Sequence, residues 1–264
     1  NIEEAIRHYE LALEEYTRKA HPERWAGTQN NLANAYRDRI HGSRAENIEE
    51  AIRHYEAALK EYTREAYPHL CRKTNRNMGN LLFEEERWHD AAESYEEGLE
   101  AAEALYKASF SRAGKRGELT EVGDMYRRAG YALMRDGRQH KAIVYLERGL
   151  ARGVGEAMSR DRAGLSRVEE ERPELYERYM DAAERMRDLE SRERSLETED
   201  EEPGRKLSRS ELREQMKAAQ DELLDAIEDI RSIEGLEDFL ALPGWDDVAG
   251  AVRADAPLAY LVTT

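Results

Sequence analysis

The sequence predicts an all-α protein: an α-solenoid of helical hairpins, then a long antiparallel helical hairpin, with a single β-strand of a following domain at the C-terminus. Three observations carry this. The stretch "NIEEAIRHYELALEEYTRKA" at 1 to 20 returns as "NIEEAIRHYEAALKEYTREA" at 47 to 66, and self-similarity at such a period marks units that bury their apolar faces on one another. Within each copy apolar residues recur at spacings of three and four, the period of an amphipathic helix. Proline, the strongest helix breaker, occurs six times in 264 residues, which favours long uninterrupted helices.

The two copies are helices whose apolar faces are Ile2, Ala5, Tyr9 and Leu13 in the first and Ile48, Ala51, Tyr55 and Leu59 in the second. A partner helix precedes each later packing helix: "TQNNLANAY" at 28 to 36, "TNRNMGNLL" at 74 to 82 and "DMYRRAGYAL" at 124 to 133. Gly79 stands twelve residues before Ala91, and Gly130 twelve before Ala142; Tyr95, Gly98 and Leu99 follow the first, Leu146, Gly149 and Leu150 the second. Small residues at fixed phases let paired helices approach closely. This interlocking pattern resembles the tetratricopeptide repeat (TPR) over residues 1–152, so a TPR-type α-solenoid is expected there. The unit containing "DRIHGSRAEN" departs from the pattern by a lengthened turn, where extra residues cost little entropy. Asn1 opens what the pattern makes a second helix, so the chain reads as a piece of a longer protein.

Beyond the repeats, a helix is expected to run to Glu171, with Pro173 in the first turn of the next. Residues 153–234 then form a coiled-coil-like hairpin: Leu175, Tyr179, Ala182, Met186 and Leu189 make one seam, and Leu212, Met216, Ala219, Leu223, Ala226 and Ile230 the other. Ser208 and Glu211 form a capping-box pattern at the start of the second helix. Residues 235–264 change character, with helix breakers and an alternating Leu258, Tyr260, Val262 run that reads as a β-strand.

This order of parts resembles bacterial TPR-CHAT proteins. The resemblance is carried by the repeats opening "NIEEAIRHYE", by "AMSRDRAGLSRVEEERPELYERYMDAAERMRDLE", and by "AIEDIRSIEGLEDFLALPGWDDVAGAV" with "APLAYLVTT". It implies that the chain is the regulatory arm of a caspase-like cysteine peptidase, that the last strand begins the attached CHAT-like domain, and that the His and Cys catalytic pair lies past residue 264. It also implies a place in bacterial conflict systems, in some cases beside an RNA-guided effector complex.

Chemistry is not what these residues offer. Cys71 has His69 near it in sequence but no group to orient such a base, and the seven histidines are dispersed rather than set at metal-ligand spacing. Neither "GKRG" nor "GVGEAM" has the glycine spacing of a phosphate loop. No cofactor, metal or catalytic residue is expected, and this chain is read as not an enzyme. One cysteine fits a reducing cytoplasm. The formal charge of −16 argues against direct nucleic-acid binding, and no apolar run nears the roughly 20 residues of a membrane span.

What remains is recognition of a protein or peptide partner. The first helix of each TPR unit lines the groove, which by the resemblance places Asn30 and Asn34, Lys73, Arg76 and Asn80, and Arg127 and Tyr131 on that lining. Asparagine both donates and accepts, so a ladder of them suits a peptide main chain, and the arginines suit a carboxylate. Asn31 and Asn77 are read as structural, and Tyr9, Tyr55 and Tyr95 as core. The alternative is a stand-alone scaffold that binds a peptide or subunit with no associated peptidase.

Overall fold

The computed structural model describes residues 1–108, 112–153, 155–196 and 209–251. Among these residues there are eleven helices and no strand. The expected strand at Leu258, Tyr260 and Val262, and the capping residue Ser208, lie outside the described residues. The chain divides into two compact units, residues 1–101 and 102–264.

The first unit holds α1 (Ile2–Glu15), α2 (Pro22–Arg37), α3 (Arg44–Leu59), α4 (Pro68–Glu84) and the greater part of α5 (Trp88–Ala108). Pro22 and Pro68 start α2 and α4, where a missing N–H costs nothing because the first turn has no acceptor for it. Ser43 caps α3 by accepting from the Glu46 N–H at 3.5 Å. The repeated Asn therefore has two uses. Asn1 caps α1 by accepting from the Glu3 N–H, whereas Asn47 lies within α3, buried, and donates to the carbonyls of Arg39 and His41 across the lengthened turn.

Consecutive helices pack as hairpins, and the small residues set how closely. A Cβ on Gly79 would stand 2.8 Å from the Tyr95 ring, so α4 and α5 touch as only glycine allows. Ion pairs join successive elements at their rims: Glu3 with Arg39 at 2.8 Å, Glu49 with Arg87 at 2.8 Å, and Arg18 with Glu61 at 2.8 Å.

The second unit contains α6 (Arg112–Arg135), α7 (Gln139–Gly153), α8 (Gly155–Glu171), α9 (Pro173–Leu196), α10 (Arg209–Arg231) and α11 (Trp245–Ala251). The α6–α7 pair repeats the close approach: a Cβ on Gly130 would lie 2.6 Å from Leu146, and one on Gly149 2.7 Å from Tyr126. The helix expected to run to Glu171 is α8, beginning at Gly155. α9 and α10 form the anticipated hairpin. Arg178 pairs with Asp229 and Arg185 with Glu222, so seven residues forward on one helix match seven back on the other, which makes them antiparallel. Both seams are buried from Leu175 to Leu189 and from Leu212 to Ile230, and each large apolar side chain so buried contributes about 1.5–3 kcal/mol.

Residues 232–244 fold back onto this hairpin. Phe239 meets Tyr179 edge to face at 5.7 Å, and Arg231 Nε donates to the Phe239 carbonyl at 2.9 Å. α11 then lies on α7, with Trp245 stacked on His140 at 4.1 Å and Arg148 donating to the Pro243 carbonyl. Leu150, expected to interlock like Leu99, is 57% exposed, because α7 meets α11 here and not a further repeat helix.

Two turns give a matched comparison. Gly137 closes α6 at φ 79°, with the Arg138 N–H donating to the Leu133 carbonyl. Glu86 holds the same place after α4 at φ 57°, with the Arg87 N–H donating to Leu82. A side chain in this left-handed conformation costs about 1–2 kcal/mol. Glu86→Gly therefore raises the urea midpoint, by about 1 kcal/mol of unfolding free energy. Gly79→Ala lowers it by about 1–3 kcal/mol despite the better helix propensity of alanine, since Tyr95 is fully enclosed. Gly123→Ala on α6, where a Cβ meets nothing within 4 Å, stabilises by up to about 1 kcal/mol. Equal midpoints for the two alanine variants would mean that α5 simply moves aside.

Candidate functional site

The first helices of the hairpins, α2, α4 and α6, carry all seven residues expected to line a groove. In the first unit, two of them share one device. The Tyr55 hydroxyl donates to Asn34 Oδ1 at 2.6 Å, and the Tyr95 hydroxyl donates to Asn80 Oδ1 at 2.8 Å. Each tyrosine ring is buried at the hairpin core, and each asparagine is half-buried beside it. The hydroxyl fixes which end of the amide faces inward: the carbonyl oxygen is spent inside and the N–H donors are left on the other side. No described residue accepts a hydrogen bond from Nδ2 of Asn34 or Asn80. A ladder that both donates and accepts is thereby corrected to one that donates.

Asn30 is corrected further. It is 8% exposed and its Oδ1 accepts from Thr74 Oγ1 at 3.2 Å, so it holds α2 to α4. Asn77 also bonds within the scaffold, donating to Asn34 Oδ1 at 3.4 Å, while Asn31 is exposed. Lys73 is exposed on α4 and Arg76 half-buried one turn further along.

In the second unit, Arg127 is exposed and pairs with Asp124, which also takes Arg128 Nε at 2.7 Å. Burial raises the Asp124 carboxyl, but the hydrogen bonds from Arg128 and Arg127 outweigh it and hold the group below its usual range. A carboxylate ligand at Arg127 thus competes with Asp124. Tyr131, at the position of Asn80, accepts from Arg135 at 3.0 Å and lies under its guanidinium. Here the partner position is Leu146, so asparagine and tyrosine have both changed and the pair is gone together.

Cys71 is enclosed, donates to no base, and accepts from Asn75 Nδ2 at 3.4 Å. Burial pushes its thiol up to about 12, which keeps it protonated and unreactive. His69 faces Arg72 instead. Among the described residues no three His, Cys, Asp or Glu side chains gather as a metal site, and no helix is long and apolar enough to cross a membrane.

A second polar contact was not legible in the sequence. His54 is buried between α2 and α3, where its Nδ1–H donates to Gln29 Oε1, its ring stacks on Tyr36 at 5.5 Å, and its Nε2 accepts from Arg53 at 3.0 Å. The hint was that His8 and His54 are equivalent, yet only one of them follows a first helix.

Paired helices, interlocked small and large residues and polar first-helix faces define a helical-repeat protein. Residues 1–112 match the model of the family described as Soluble NSF attachment protein, SNAP, so this part of the chain is similar to that family. No curated protein and no solved structure matches the chain.

Burial, then the Arg53 charge, push His54 down to about 4, with Glu50 opposing. Because the folded value lies below the unfolded 6.5, the stabilisation is complete above pH 6.5 and is lost as pH falls from 6.5 through 4. With about 1.4 kcal/mol per unit, reduced because Arg53 and Glu50 open one edge to water, the loss is on the order of 2 kcal/mol. Denaturation at pH 7 and pH 4 of the chain and of His54→Gln checks this: the variant loses less on acidification. An equal loss assigns the acid sensitivity elsewhere.

Proposed function

We propose that the chain is a protein-interaction scaffold that holds an extended peptide segment of a partner along the first helices of its hairpins. One observation carries the reading: buried tyrosine hydroxyls orient Asn34 and Asn80 so that both turn N–H donors away from the core. Such donors match the carbonyls that any extended peptide offers at regular intervals, whatever its side chains. Lys73 and Arg76 on α4 add charge that suits an acidic segment or a carboxylate. Arg127 and Tyr131 hold the equivalent places on α6. The description of the similar family, an attachment protein, supports a role in which the output is a bound protein.

The finer reading is that this scaffold is the partner-binding arm of a bacterial CHAT caspase-like peptidase in the cytoplasm, with repeats over 1–152, the hairpin over 153–234 and the junction over 235–264. It rests on the quoted segments that resemble that family, and the parent sequence past Thr264 tests it: a His and a Cys, each at a strand end, support it, and their absence favours the stand-alone scaffold.

The groove itself is tested with peptides selected on the chain from a displayed random library. Asn80→Ala weakens the selected peptides by about tenfold or more, one lost hydrogen bond in a desolvated contact. Tyr95→Phe, which keeps the ring but frees the amide to rotate, weakens them severalfold. Unchanged binding by both variants removes the site from this face.

A further inference from the structure

The residues "NIEEAIRHYE" occur in α1 and in α3 and are helical in both, but their surroundings differ on one side only. In α3 that side is covered by α2: Ala51, Tyr55 and Ala58 are wholly buried, the Tyr55 hydroxyl donates to Asn34, and His54 bonds Gln29. In α1 the same side is open. Ala5, Tyr9 and Ala12 are half-buried, His8 is exposed, and no described residue hydrogen-bonds the His8 ring or the Tyr9 hydroxyl. On the opposite side the two helices are engaged alike, since Glu3 meets Arg39 as Glu49 meets Arg87, and Ile6 is buried like Ile52.

We propose that the open side of α1 is a docking surface for an amphipathic helix with the contact chemistry of α2. Its occupant carries a small residue opposite Tyr9, an asparagine directly after it to accept the Tyr9 hydroxyl, and a glutamine five residues before that asparagine to accept from His8. Those are the places of Ala33, Asn34 and Gln29 against α3. The second helix of the pair is already written in α1, residue for residue; only the first is supplied from elsewhere. A second copy of the chain is a poor source, because its own α2 is clasped between α1 and α3. This surface is separate from the peptide groove proposed above and stands or falls without it.

The test is a lengthened chain in which residues 20–46 are repeated ahead of Asn1, giving α1 a second α2 with its native turn. Hydrogen exchange is read on the α1 amides. The expected result is exchange about tenfold slower or more in α1, a helical added segment, and loss of both on His8→Asp or Tyr9→Ser. Because His8 is exposed in the original chain, His8→Asp leaves the fold intact and isolates the docking effect. Unchanged α1 exchange overturns the proposal, as does protection that survives both variants. A dimer of the unlengthened chain that His8→Asp dissociates overturns it in favour of a second copy.

Discussion

The closest contact in the molecule is between a residue with no side chain and the large side chain facing it. At Gly79 and Gly130 the space that a Cβ would take is filled by Tyr95 and Leu146, within 2.8 and 2.6 Å. That approach fixes the distance between paired helices, and the distance fixes everything polar at their rims. Tyr95 runs past Gly79 and its hydroxyl emerges beside the next residue, Asn80, at 2.8 Å. A wider pair would leave the hydroxyl short of the amide. Core packing and the orientation of a surface donor are therefore one construction, and a change to either is felt by both.

Periodicity, small-residue spacing and the Pro173 start made the helices, their pairing and the α9–α10 seam legible in the sequence, because all three follow from local geometry. The hydrogen bonds were not, because they depend on which helix lies opposite. Asn34 precedes Tyr55 by 21 residues and Asn80 precedes Tyr95 by 15, so the shared device is hidden by six extra residues in the turn containing "DRIHGS". Once the insertion is discounted, the two pairs coincide, and the Tyr131 and Leu146 positions show the same pair replaced as a unit.

Tyr9 shows the opposite case, in which identical sequence gives unequal structure. Its repeat partner Tyr55 is enclosed, yet Tyr9 is only half-buried. Propensity and periodicity are the same for both, so the difference is wholly tertiary: one face of α1 has no helix in the place that α2 takes on α3. The expectation that Tyr9 is core was sound for the pattern and failed for the neighbour. Asn47 differs from Asn1 for a related reason, since the helix there starts three residues earlier and draws the side chain inside.

The electrostatics point the same way as the packing. A net charge of −16 is large, but the arginines are not spread evenly against it; Arg18, Arg39 and Arg87 each reach across to a glutamate of another element. Partly exposed pairs of this kind add little to stability, commonly under about 1 kcal/mol each. Their effect is on register, because each bridge is satisfied by one stacking of neighbouring hairpins and left unmet by a slipped one. The same residues that hold the hairpins in step also withdraw positive charge from the surface, leaving few cations for a ligand. Among the groove positions, Arg127 shares the Asp124 carboxylate and Tyr131 is capped by Arg135, whereas the amides of Asn34 and Asn80 keep their donors. A surface so disposed favours neutral main-chain groups over phosphate-rich polymers, and it reads the shape of an extended partner before its charge.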